Sequence, residues 1–159
     1  MKNVLWLEDE ENLVEAVKNV YGKKCNFTVV SNFSELKGHL FDSPGIEAYD
    51  CVILDLTIET PGAALSICKR KIPKMFKDKD GNYVGTTMVA GISMLGWDFY
   101  NRVVCVDDRF KDCKDSKFVL VTGNRTLVER SGVADNLAVK IVEKRGGEDF
   151  PKELASFLE

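Results

Sequence analysis

The sequence predicts an α/β protein, a mainly parallel sheet covered by helices on both faces. Three features carry that expectation. Short apolar runs alternate with stretches of helical periodicity, five times along the chain. The runs are continuously apolar rather than alternating, the mark of strands buried on both sides. The length of 159 residues fits one domain, or one domain with a large insertion. A chain of that size buries about two-thirds of its unfolded surface and needs no disulfide staples.

The elements follow in order. Val4–Leu7 is the first apolar run. From Leu13 the spacing becomes helical, with Leu13, Ala16, Val17, Val20 and Tyr21 on one face and Gly22 able to end the helix. Phe27–Val30 is β-rich. Phe33, Leu36, Leu40 and Phe41 mark a second helix, stopped by Ser43-Pro44-Gly45. Cys51-Val52-Ile53-Leu54 is the clearest strand and runs directly into Asp55. A third helix is marked by Trp97, Tyr100, Val103 and Val104, and a fourth strand by Phe118–Val121, followed by Thr122-Gly123-Asn124. A short helix around Leu127-Val128, a strand over Leu137–Val142 and a last helix complete the pattern. That helix places Phe150, Leu154, Phe157 and Leu158 on one face, with Pro151 tolerated in its first turn.

One stretch breaks the rhythm. Roughly forty residues separate Asp55 from the helix near Trp97, whereas a βα loop usually takes about 2–6. Lys69-Arg70-Lys71, Lys74, Lys77 and Lys79 concentrate positive charge there. Asp78-Lys79-Asp80-Gly81-Asn82 reads as a turn closing a hairpin between Met75-Phe76 and Tyr83-Val84. Gly85, Gly91 and Gly96 make the return flexible. The expectation is a single domain over 1–159 with a loop insertion at about 59–90.

Composition excludes several function classes. The net charge of -3 argues against a generic nucleic-acid binder. The five cysteines (Cys25, Cys51, Cys68, Cys105, Cys113) contain no CxxC pair, and with His39 as the single histidine no zinc constellation can be assembled. Cys51 and Cys105 lie in apolar runs, as small buried hydrophobes do. Histidine-dependent nucleophilic catalysis would need His39, which has no Ser or Cys motif nearby. No run approaches the about 18 residues of a membrane span, and acids follow the first apolar residues too soon for a signal peptide. A reducing cytoplasm is expected.

In an open parallel sheet, ligands bind beyond the carboxyl ends of the strands. Here those ends carry Glu8-Asp9-Glu10-Glu11, Asp55, Thr122 and Lys144. Each has an ordinary explanation: acids at a helix start favour its dipole, Asp55 and Thr122 can cap helices, and a lysine can simply be solvated. Four polar groups at four strand ends are not required by packing. Two carboxylates about 4 Å apart repel by about 4 kcal/mol at an effective dielectric of 20. Glu8, Asp9 and Asp55 therefore call for a cation, and Mg²⁺ suits such oxygen ligands. It would also neutralise phosphate oxygens and leave a carboxylate to attack phosphorus. Thr122 and Lys144 would serve the remaining oxygens. The residues point to a Mg²⁺-dependent aspartyl-phosphate site.

The segments VLWLEDE at 4–10, CVILDL at 51–56, MLGWDFYNRV at 94–103, FVLVTGN at 118–124 and IVEK at 141–144 make the chain resemble the receiver domain of two-component response regulators. The spacings agree: 46 residues from Asp9 to Asp55 and 22 from Thr122 to Lys144. The 67 from Asp55 to Thr122 is long, and the excess falls in the insertion. The resemblance implies a flavodoxin-like (βα)5 fold with a five-stranded, doubly wound parallel sheet. It makes Asp55 the phosphoacceptor and Asp9 a direct Mg²⁺ ligand, with Glu8 acting through water and the backbone carbonyl of Thr57 completing the set. Thr122 would bond the phosphoryl oxygen in the active state, Lys144 would pair with the phosphoryl group, and Gly123 would leave access for the donor. Thr57 and Asn124 flank the site and bear on the lifetime of the phosphorylated form. A sensor histidine kinase or phosphotransfer protein would supply the phosphoryl group, and an output protein would read the change. The sequence runs about one helix past Lys144, so a stand-alone switch without a fused effector domain is expected. It would phosphorylate and dephosphorylate itself rather than act as an enzyme on other molecules.

The chain also departs from the family pattern. Ile141 stands where an aromatic residue is common, Arg145-Gly146-Gly147 follows Lys144 in place of proline, and Ile58-Glu59-Thr60-Pro61 replaces a Met-Pro turn. These departures bear on the output surface rather than on the phosphoacceptor. Two alternatives stay open. One is a pseudo-receiver that binds partners without phosphorylation. The other is a haloacid-dehalogenase-type phosphatase, although Thr57 occupies the position of its second aspartate. The insertion could gate the donor or form a partner surface. A solvated basic hairpin is favoured there over contact with nucleic acid through Phe76 and Tyr83. Asp78 and Asp80 lack the later ligands of a calcium loop.

Overall fold

The computed structural model describes residues 1–57, 88–89, 92–132, 139–144 and 149–159. Five parallel strands form the main sheet in the order β2-β1-β3-β6-β7. They are β1 (Lys2–Leu7), β2 (Cys25–Val30), β3 (Cys51–Asp55), β6 (Phe118–Thr122) and β7 (Lys140–Glu143). A separate two-stranded antiparallel pair joins β4 (Met88–Val89) to β5 (Ile92–Ser93). The hairpin expected at Met75–Val84 and nearly all of the 59–90 insertion, with its lysines, Phe76 and Tyr83, lie outside the described residues. So do Cys68, Leu137 and Arg145-Gly146-Gly147.

The continuous apolar runs explain themselves in the packing. Successive strand side chains point to opposite faces, and here both faces are covered. Leu5, Leu7, Val52, Leu54 and Leu120 enter one core, beneath α2 (Phe33–Lys37), α3 (Leu95–Phe99) and α4 (Arg125–Ser131). Val4, Trp6, Ile53, Val119 and Val121 enter the other, beneath α1 (Glu11–Tyr21), α5 (Asp149–Glu153) and α6 (Ala155–Leu158). The sheet is doubly wound, as the sequence predicts. Among the described residues, no helix is long and apolar enough to cross a membrane.

Several elements differ from their sequence reading. In α1 the buried stripe is Val14, Val17 and Tyr21, whereas Val20 is 56% exposed. Val20 lies too far around the helix to reach the sheet. Both α2 and α3 continue as single π-helical turns, Gly38–Asp42 and Tyr100–Val104. Asn32 caps α2 by accepting the Glu35 N–H at 2.9 Å. The last strand is shifted to Lys140–Glu143, and the last helix is divided at Leu154, leaving Phe157 half-buried. The Tyr21 hydroxyl donates to the Pro151 carbonyl at 2.9 Å and ties that end of the chain to α1.

The largest omission in the sequence reading is the stretch between Val104 and Phe118. It holds a 3₁₀ turn (Asp108–Phe110) and a four-residue helical turn (Lys114–Lys117), both too short to show periodicity. Phe110 is fully buried, edge-on to Phe41 and Phe118 at 5.4 and 5.7 Å. Phe110 thus anchors this loop in the core, with Cys105 and Cys113 packing against the same cluster. Cys25, Cys51, Cys105 and Cys113 are free thiols, and burial pushes Cys51 up to about 12. Such a thiol stays protonated and unreactive at neutral pH. His39 accepts or donates a 2.7 Å hydrogen bond with the Tyr49 hydroxyl.

Candidate functional site

The register of the sheet assembles the acids. Leu7 lies opposite Leu54 in the β1–β3 pair, so Glu8 and Asp55 emerge side by side at the carboxyl edge. Asp55 in turn lies opposite Val121, one residue before Thr122, and Thr122 lies opposite Glu143, one residue before Lys144. The Lys144 N–H donates to the Thr122 carbonyl at 2.7 Å, so the β6–β7 ladder fixes where the lysine leaves the sheet.

From there its side chain, 5% exposed, reaches back across β6. Nζ donates to Asp55 Oδ2 at 2.7 Å, to Glu8 Oε1 at 3.0 Å and to Glu10 Oε1 at 3.3 Å. Glu8 Oε2 is 2.7 Å from the same nitrogen but outside hydrogen-bond geometry. Glu8 Oε1 also accepts the N–H groups of Asp9 and Glu10, both at 3.1 Å, which folds the strand end into the turn before α1. Asp55 Oδ1 accepts from the Thr57 N–H at 2.9 Å and its hydroxyl at 3.3 Å. Glu8 and Asp55 are each only 2% exposed, while Asp9 is exposed.

Glu8, Asp9 and Asp55 each bring a carboxylate oxygen within 4.8 Å of the others. At about 5 Å and an effective dielectric of 20, each ionised pair repels by about 3 kcal/mol. One ammonium cannot balance three carboxylates and Glu10. Burial, then the Asp55 charge, raises Glu8 to about 7 against the pull of Lys144. Asp55 is raised by burial and by Asp9, again against Lys144. Burial alone would lower Lys144, but Asp55 and Glu8 outweigh it and raise it. Below about pH 7 the cluster therefore retains a proton on Glu8, which a hard cation would displace. Three oxygen donors, two of them buried, fit Mg²⁺ in chemistry and number.

The pH dependence has a definite sign. Glu8 binds its proton more tightly folded than unfolded, so this stabilisation is complete below about 4.5 and is lost as pH rises through about 7. Without metal, denaturation at pH 5 and pH 8 should show the protein less stable at pH 8, by about 2–3 kcal/mol. Mg²⁺ should remove that difference, and its affinity should rise over the same interval. Stability independent of pH between 5 and 8 would contradict the assignment.

The other expected residues are placed as follows. Thr122 is buried at the end of β6, with its hydroxyl accepting the Asn124 N–H at 3.2 Å. Gly123 faces open space. Ile141 is half-buried on β7 opposite Leu120. Two features were not read from the sequence. Glu10, in sequence just one of four consecutive acids, bonds Lys144. Gly96, expected in a flexible return, instead packs directly on the end of β3. Its N–H donates to the Leu56 carbonyl at 3.1 Å, and a Cβ there would lie 1.7 Å from the Asp55 carbonyl oxygen. Its signal was the glycine within MLGWDFYNRV.

No protein-family model and no curated protein matches the chain. Among solved structures, that of the bacteriophytochrome response regulator AtBRR is similar, with a TM-score of 0.54 and 16% sequence identity. The match covers 99% of this chain and 92% of that one. Sheet order, parallel strands and near-complete coverage agree: the chain has a receiver-like, flavodoxin-type α/β fold.

Proposed function

We propose that the chain is a phosphoacceptor signalling switch. The observation that carries this reading is the buried Asp55 carboxylate, 2.7 Å from the Lys144 ammonium and within a trio of acids suited to Mg²⁺. An Asp55 oxygen forms a P–O bond to phosphorus as the donor's P–N bond breaks, and the imidazole of a phosphohistidine leaves with the electron pair. Glu8, Asp9 and Asp55, with the Thr57 carbonyl, would hold the metal. When bound, the metal supplies charge neutralisation for the phosphoryl oxygens. Lys144 exchanges a carboxylate for a phosphoryl oxygen, and Thr122 turns its hydroxyl from Asn124 towards another. That rearrangement biases the surface around α4 and β7 between two packings.

The donor is a sensor histidine kinase or phosphotransfer protein in the cytoplasm, and an output protein reads the altered surface. The whole chain is one such domain, interrupted in sequence after β3 by the insertion at about 59–90. A dehalogenase-type phosphatase is disfavoured by Thr57, whose N–H and hydroxyl both donate to Asp55 where a second carboxylate would be needed.

Intact mass after incubation with Mg²⁺ and acetyl phosphate tests the proposal. A phosphoryl-sized gain is expected, and it should be absent in Asp55→Asn. No gain with any small phosphodonor or phosphohistidine protein overturns the reading in favour of a phosphorylation-independent interaction module. Sustained turnover of phosphate esters would indicate a phosphatase.

A further inference from the structure

The three N–H groups of the Lys144 ammonium are all used, on Asp55, Glu8 and Glu10. Two of these acceptors belong to the metal-suited trio and the third does not. A cation at the trio takes carboxylate density from Glu8 and Asp55, leaving Glu10 as the carboxylate still free to hold the lysine.

The geometry around Glu10 suits that task. Its N–H is held by Glu8 Oε1, and its carbonyl accepts the Leu13 and Val14 N–H groups at the start of α1. Its backbone is thus fixed from both sides. Its side chain makes no capping hydrogen bond to the helix and extends towards Lys144, while remaining 64% exposed. Lys144 is fixed at its own backbone by Thr122. Two anchored residues meet at a single ion pair.

We propose that Glu10 is a positioning residue, keeping Lys144 directed over Asp55 when Glu8 and Asp55 turn to a cation. This rests on the phosphoacceptor reading above, and it adds a side chain that acts only through Lys144.

The test compares the unaltered protein with Glu10→Gln. Each is briefly exposed to an amine-acylating reagent with and without saturating Mg²⁺, and labelling of Lys144 is measured by peptide mass spectrometry. Lys117, which contacts the Ile46 carbonyl away from the site, is the internal reference. With Mg²⁺, Lys144 should label about threefold faster in Glu10→Gln, the scale of one exposed ion pair. Without Mg²⁺ the two proteins should label nearly alike, because Glu8 and Asp55 still hold the ammonium. An equal increase without Mg²⁺, or none with it, overturns the proposal. Adduct formation on Asp55 is measured in parallel in the unaltered protein. An adduct with no labelling difference sinks the role of Glu10 alone, and the expected labelling without an adduct sinks the phosphoacceptor reading alone.

Discussion

Lys144→Met lowers the stability of the metal-free protein by about 3 kcal/mol, and Mg²⁺ restores most of the loss. Methionine preserves the length and packing of the buried stem while deleting the charge. Glu8 and Asp55 then face each other, nearly fully buried, with no counter-ion beside them. Removing one partner of a buried ion pair typically costs about 3–5 kcal/mol. The lower end applies because Glu8, raised to about 7, is only partly ionised near neutral pH and relieves the repulsion by taking up a proton. Urea denaturation at pH 7.5, with and without Mg²⁺, measures the effect. Glu8→Gln in the same background should recover part of the stability without metal, because it deletes one of the competing charges. A loss under about 1 kcal/mol, or one that Mg²⁺ leaves unchanged, would contradict the electrostatic account.

Gly96→Ala is expected to cost about 3 kcal/mol and to slow the proposed phosphorylation of Asp55 by at least about tenfold. The added methyl would lie 1.7 Å from the Asp55 carbonyl oxygen, 2.7 Å from its carbon and 2.9 Å from the Leu56 Cα. These neighbours are all backbone, so no side-chain rotation relieves the clash. Either α3 retreats from the sheet or the end of β3 moves. The first opens the core around Trp97, Phe99 and Tyr100. The second displaces the Asp55 carboxylate from Lys144 and Thr57. Thermal denaturation and the initial rate of mass gain with acetyl phosphate separate the two responses. A stability loss with an unaltered rate means that the helix yields, and a rate loss with little destabilisation means that the strand does. No change in either measurement would contradict the close approach.

Much of the fold was legible because parallel sheets buried on both faces leave a one-dimensional signature. Val4–Leu7, Cys51–Leu54 and Phe118–Val121 are apolar at consecutive positions, and both cores receive them. The less legible elements were those too short or too irregular to show a period. The loop from Cys105 to Lys117 has no period, and its place depends on Phe110 entering an aromatic cluster formed by distant residues. Val20 satisfied a helical pattern yet faces solvent, because an apolar stripe on a helix can be wider than the surface it covers.

The candidate site divides in the same way. Each acid announced itself at the end of an apolar run, since packing does not call for a carboxylate there. The sequence by itself determined the α/β class and put Glu8, Asp9, Asp55, Thr122 and Lys144 at or just beyond the ends of apolar runs. Only the tertiary structure decided who touches whom. Parallel register aligned Glu8 with Asp55, and a long side chain crossing one strand brought Lys144 to both. Glu10's bond to that lysine and Gly96's contact with the Asp55 carbonyl depend on distances between segments far apart in the chain. Periodicity reports which way a residue faces relative to its own element. It carries no information about what another element places in front of it.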